Sequence, residues 1–160
     1  MTNVFDPEWE EGEAGPAPYD VRGAWIAKKA GARKLGASLY EVRRGQSVCP
    51  MHVHHAQEEM IVVLAGTPTL VTPGGSRVLE TGEVVACPTG PEGAHRVDND
   101  ADEVARVLIV STMEYPEVVE YLDGDKVGVR SAPWGEPGRL ALNFPRDSAV
   151  GYYEGLPPAD

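Results

Sequence analysis

His52, His54, Glu59 and His95 are the side chains in this sequence best suited to do chemistry. Three imidazoles and one carboxylate form a ligand set that iron, manganese, nickel, cobalt or zinc accepts as a divalent ion. Two of the histidines come as His-x-His, and the stretch His55-Ala56-Gln57-Glu58 separates them from Glu59. On a β-strand alternate side chains share a face, so His52 and His54 point one way and Val53 the other. The polar stretch after them reads as a turn. The apolar run Met60 to Ala65 then reads as the neighbouring antiparallel strand, with Glu59 at its start beside the two histidines. His95 lies much further along the chain, and only a closed fold brings it to the same point. The pattern differs from the helical His-Glu-x-x-His arrangement, whose ligands lie one turn apart.

Short strands must do the positioning. Eighteen Gly and 14 Pro punctuate brief apolar runs, which predicts an all-β chain with many turns. Leu39–Val42, Thr69–Thr72, Arg77–Glu80, Glu83–Cys87 and Ala105–Ser111 read as strands. Pro73-Gly74-Gly75 reads as a hairpin connection between the second and third of these. Alternation places Glu59, Ile61, Val63 and Ala65 on one face, which would line a barrel. Met60, Val62 and Leu64 fall on the other face. That face is also apolar and needs cover from the N-terminal arm, the tail or another subunit. A chain of 160 residues is expected to form one domain with a sizeable core.

The same residues carry a resemblance to the cupins, in particular to small single-domain proteins with one cupin barrel. The first cupin motif is matched by Gly45, His52, His54, Glu59 and Gly66, with six residues rather than five after Gly45. The second is matched by Gly82, Pro88, Gly90, His95 and Asn99, with four residues rather than two between Gly90 and His95. The resemblance covers roughly residues 35 to 112. It implies a double-stranded β-helix (a jelly-roll barrel), a metal held by His52, His54, Glu59 and His95, a small-molecule ligand and a homodimer. The expected organisation is an extended acidic arm over 1–20, the cupin barrel over 21–112, and a C-terminal extension over 113–160. Phe5 and Trp9 are candidate anchors of the arm. The extension is expected to be irregular and to pack on the barrel or a partner subunit.

Charge and composition exclude other classes. Fourteen Lys and Arg against 25 Asp and Glu give a net charge of −11, which argues against binding a nucleic-acid backbone. No apolar run approaches the length of a membrane span, and the N-terminus lacks the basic start and apolar centre of a signal peptide. Cytoplasmic location is the resulting expectation. Cys49 and Cys87 do not make a disulfide framework, and the expectation for them is two reduced, mostly buried thiols. There is no Walker loop, Rossmann fingerprint or internal repeat.

Within the motif, His55 is expected in the turn and Glu58 in solvent. Asn99 reads as a turn former, and Arg96, Tyr40 and Tyr115 are the side chains that could reach a substrate. No non-ligating general base is identifiable, although Glu58 or a metal-bound hydroxide could serve. An octahedral metal held by four protein ligands keeps two positions for small molecules. With iron this suits a dioxygenase-like oxidation; with manganese, nickel or zinc it suits isomerisation, enolisation or decarboxylation. The alternative is a non-catalytic cupin that binds or senses a small ligand through a structural metal.

Overall fold

The computed structural model of the protein describes residues 2–10 and 15–157. Met1 and residues 11–14, from the expected arm, and residues 158–160, from the expected tail, lie outside the described residues. The elements run β1 (Arg22–Trp25), α1 (Ile26–Ala30), β2 (Gly36–Val42), β3 (Gln46–Ser47), β4 (His52–His54), β5 (Glu59–Ala65), β6 (Thr69–Thr72) and β7 (Gly75–Val78). They continue with β8 (Val84–Cys87), β9 (Arg96–Asn99), β10 (Ala105–Ser111), β11 (Glu117–Tyr121), β12 (Lys126–Arg130) and β13 (Ala141–Pro145). Among the described residues no helix is long and apolar enough to cross a membrane.

The strands form three antiparallel sheets, ordered β1-β2-β10-β5-β8, β3-β9-β6-β7 and β13-β12-β11-β4. The result is an all-β jelly roll, as expected. Its core lies inside, where Val42, Val48, Ile61, Val63, Leu70, Leu79, Cys87, Val97, Ala105, Val107 and Ile109 pack together. Period-two alternation explains this directly. Ala105, Val107 and Ile109 on β10 are buried while the alternate residues Arg106, Leu108 and Val110 are not. On β5 the same rule buries Ile61 and Val63, and it turns Glu59 inward at the strand's start. β10 holds β5 in register, with Ile61 opposite Ile109 and Glu59 opposite Ser111.

Turn chemistry sets the connections. Thr72 pairs with Gly75 across β6 and β7, so the hairpin loop is the two residues Pro73-Gly74. β7 ends at Val78, and the strand expected to reach Glu80 stops short of it. Gly66, which ends β5, has φ +75°, and a Cβ there would lie 2.8 Å from Ala105 Cα and 2.9 Å from Val104 O. Only glycine meets both demands. Asn99 is fully buried and organises the loop before β10. Its amide donates to Val42 O and Glu103 O, and its Oδ1 accepts from Ala101 N.

The C-terminal extension departs from expectation. Rather than an irregular tail, it supplies β11, β12 and β13. β11 pairs with β4, Val119 opposite His54 and Tyr121 opposite His52. The extension therefore builds the wall beside the His-x-His strand. β13 is an exposed edge, with Leu142 half-exposed at 51%. In the arm, Trp9 stacks under the Arg22 guanidinium at 4.5 Å, and Glu10 N donates to Gly23 O. Phe5, the other candidate anchor, stays exposed. On the outer face of the five-stranded sheet, α1 packs against β2, whose Leu39 is fully buried. Met60 and Val84 remain 40% and 55% exposed there.

Candidate metal centre

β4 and β5 deliver three of the four predicted ligands, and the backbone delivers the fourth. His52 and His95 form an isolated antiparallel bridge: His52 N donates to His95 O at 3.2 Å, and His95 N to His52 O at 3.1 Å. Gly90 N also donates to His54 O at 2.7 Å, tying the loop before His95 to β4. The two residues in excess of the cupin spacing are absorbed by a single 3-10 turn, Pro91–Gly93. That turn is so tight that a Cβ on Gly93 would sit 1.7 Å from Pro88 O.

The four side chains meet around one oxygen. Glu59 Oε2 lies 3.3 Å from His95 Nε2, 3.4 Å from His54 Nε2 and 3.7 Å from His52 Nε2. The opposite ring nitrogens are all occupied. His52 Nδ1 donates to Pro50 O at 3.0 Å and His95 Nδ1 to Gly93 O at 2.9 Å. A carbonyl only accepts, so both rings carry a proton on Nδ1, and Nε2 is the nitrogen left to face a metal. His54 Nδ1 faces Glu117 Oε1 at 3.3 Å. Glu117 is buried, and its carboxylate also accepts from the backbone N–H of His55, Ala56 and Gln57. It belongs to the extension and to neither motif.

These residues fit a divalent metal. Donor atoms of His52, His54 and Glu59 lie within 4.8 Å of one another. His95 Nε2 is buried and makes no hydrogen bond, although Glu59 Oε2 is close, because the approach is poorly directed. A buried imidazole nitrogen without a partner needs an explanation, and a bound cation supplies one. The electrostatics agree. Burial opposes charge on His52 and His95, yet Cys49 and Glu59 at the first ring, and Cys87 and Glu59 at the second, outweigh it and raise both pKa values. His54 is raised in the same way, burial being outweighed by Glu59 and Glu117. Burial also disfavours the Glu59 anion, and the imidazoles of His52, His54 and His95 facing its carboxylate reverse that and hold its pKa well below the usual range. The cluster attracts positive charge, and without a metal protons provide it.

A cavity of about 210 Å³ opens beside the cluster, lined by Tyr40, Cys49, Ser38, Ser111 and Tyr121 among others. Among the described residues its lining includes no Lys or Arg. Tyr40 is half-buried; burial, and then the neighbouring Cys49, push its phenol up to about 12, so it keeps its proton. Cys49 Sγ lies 3.4 Å from His52 Nδ1. A larger groove of about 350 Å³ runs between the arm and β1, but no histidine lines it. We place the chemistry at the smaller cavity because the converging imidazoles and Glu59 are there.

Other residues singled out from the sequence sit elsewhere. His55 lies in the turn, 2.6 Å from Glu120 Oε1, and Glu58 is exposed outside the cavity. Arg96 is committed to Asp98 and Asp123, both at 2.9 Å, and Tyr115 does not line the cavity. Cys49 and Cys87 are free thiols, the first half-buried and the second buried. Glu117 and Tyr121 are the contributors that sequence reasoning missed. No spacing rule links residue 117 to the turn at 55–57; only the pairing of β11 with β4 does.

An antiparallel jelly roll with a His/Glu cluster facing a small cavity defines a class of small-molecule-binding barrels. Residues 38–111 match the cupin domain family. The whole chain is similar to a sugar phosphate isomerase of the cupin superfamily from Silicibacter pomeroyi, at 22% identity, covering 93% of this chain and 94% of that one with TM-score 0.77. A protein provisionally called a sugar phosphate isomerase, from Acidithiobacillus ferrooxidans, is also 22% identical, with 89% of each chain covered and TM-score 0.75. The polyketide cyclase RemF from Streptomyces resistomycificus is 25% identical over 73% of this chain and 82% of its own, with TM-score 0.58. No curated protein matches the chain in sequence.

Proposed function

We propose that this cupin holds one divalent transition metal with His52, His54, Glu59 and His95 and acts as an enzyme on a small, uncharged molecule that binds through oxygen. The observation that carries the reading is the convergence of three imidazole Nε2 atoms on Glu59 Oε2 beside a cavity. When bound, such a metal polarises a ligand oxygen as a Lewis acid, and as iron it also supports dioxygenase-like oxidation.

The protein's own groups do the rest. Ser38, Ser111, Tyr40 and Tyr121 offer hydroxyls around the cavity, suited to a hydroxylated or carbonyl compound. Tyr40, which holds its proton, is a donor for an oxygen that gains negative charge. Ile109, Val48 and Val119 supply apolar wall that lowers the local dielectric. Cys49 lines the cavity and is the one thiol with access to a ligand.

A second reading, sugar phosphate isomerisation, is favoured by the two similar structures named for that activity. The absence of Lys and Arg from the cavity lining speaks against a phosphate dianion seated beside the metal. We therefore favour the uncharged substrate.

The test uses metal-free protein loaded anaerobically with Fe(II) or Co(II) and a panel of diols, hydroxy acids, β-diketones, hydroxy-ketones and sugar phosphates. The expected result is a changed electronic spectrum with uncharged oxygen ligands, and either oxygen uptake or isomerised product. A response confined to the phosphates would install the second reading. Spectral change without turnover of any compound would support a binding or sensing cupin.

A further inference from the structure

We infer that Glu117, in the C-terminal extension, is a positioning residue of the metal centre: it holds His54 with its proton on Nδ1 and fixes the turn that follows, so that Nε2 faces the metal. The inference rests on the metal reading above.

The three imidazoles are not held alike. His52 and His95 each donate Nδ1–H to a carbonyl two residues earlier in the chain, Pro50 O and Gly93 O. The equivalent carbonyl for His54 is His52 O, and the backbone bridge has engaged it, since it accepts His95 N–H at 3.1 Å. His54 therefore needs an acceptor from elsewhere. Glu117 Oε1 supplies it at 3.3 Å, brought there by the start of β11.

A structural role alone accounts for part of this. The carboxylate accepts His55 N at 3.0 Å on Oε1, and Ala56 N at 3.1 Å and Gln57 N at 2.8 Å on Oε2. Three amides make a turn latch. The fourth donor, the ring of a proposed ligand, separates the two roles. Glu117 is only 2% exposed, and among the described residues no Lys or Arg pairs with it. A buried carboxylate is costly and needs many donors. A carboxylate behind a ligating histidine fixes its tautomer and raises its basicity, and losing one lowers metal affinity about 10–100-fold. The family match ends at residue 111, so this part of the centre comes from outside it.

Glu117→Gln in the full chain is the discriminating variant. An amide has one acceptor oxygen. Placed where Oε2 was, it keeps the Ala56 and Gln57 amides and turns its NH2 toward His54 Nδ1, favouring the tautomer with the proton on Nε2. The experiment is Zn(II) titration of metal-stripped wild type and variant, with long-range 1H–15N spectra of the histidine rings in both zinc-treated proteins. The inference predicts Nδ1–H on His54 in the zinc-bound wild type and about 10–100-fold weaker zinc binding in the variant. A folded variant that binds zinc within about twofold of wild type, with His54 still protonated on Nδ1, would reduce Glu117 to a turn latch and overturn the inference. If the variant does not fold, the wild-type spectrum alone decides, because a zinc-bound wild type with the His54 proton on Nε2 overturns it equally. A wild type that takes up no zinc would instead reject the metal reading beneath it.

Discussion

His52 and His95 hold each other through the backbone, each N–H donating to the other's carbonyl at 3.2 and 3.1 Å. This one bridge fixes the spacing of two proposed ligands from opposite ends of the motif pair. The loop that returns to it has no slack, because Gly93 packs directly on Pro88 O. Gly93→Ala should therefore push the loop off β4. The expected cost is about 1–3 kcal/mol, the usual range for forcing an extra methyl into a packed site. Denaturant melts and a zinc titration check it, and zinc affinity should fall along with stability. A variant unchanged in both would mean that the loop does not set the position of His95.

Much of the barrel was legible because burial is one-sided. β5 and β10 alternate in burial, and the pattern selects the buried Ile61 and Val63 correctly; Ala65, expected on the same face, lies beyond a register shift, pairs with Arg106 and is only half-buried. The His-x-His pair was legible for the same reason, since two side chains two apart on a strand must share a face. β11, β12 and β13 were not legible. Gly128 interrupts β12, and every residue of β13 is exposed, so packing imposes no clean alternation there. Glu117 was invisible because its partners are three backbone amides and one ring nitrogen far back in the chain. A carboxylate that binds amides leaves no residue pattern at the other end.

Acidity links to the metal centre with a definite sign. In the metal-free protein the net effect of Cys49 and Glu59 on His52, and of Cys87 and Glu59 on His95, against burial, is to raise these rings to about 9 and about 10. The unfolded value is about 6.5. Stability from raised imidazoles is full below about 6.5 and is lost as pH climbs through the folded values near 9 and 10. Metal-free protein should thus melt lower at pH 9.5 than at pH 7. Metal must displace the same protons. Calorimetry of zinc binding at pH 7.5, in two buffers of different ionisation enthalpy, should show proton release. Identical heats in both buffers would contradict the linkage.

Tyr40 should titrate apart from the other tyrosines. Burial raises its phenol to about 12, against an ordinary value of about 10. A raised phenol favours the fold below about pH 10, and that contribution disappears as pH rises through 12. Ultraviolet titration of the folded protein should show one of the six tyrosines ionising last, and Tyr40→Phe should remove that step. A variant titration identical to wild type in its last step would refute the assignment.

Assembly is testable through the outer face of the five-stranded sheet. The extension pairs with β4 instead of covering Met60, which is 40% exposed beside Val84 at 55%. We expect a second copy to cover this face, giving a homodimer. Light scattering at micromolar concentration should return twice the mass of one chain, and Met60→Glu should shift it toward one. A monomer in the wild type would leave this face without a partner.

The four-residue metal centre is most directly tested by metal content. Wild type, and a variant with both His52→Ala and His54→Ala, should be purified from the same divalent-metal-supplemented growth and measured by elemental analysis. The account predicts about one transition metal per wild-type chain and almost none in the folded double variant, since two of four ligands are gone. Stoichiometric metal retained in the double variant would contradict it.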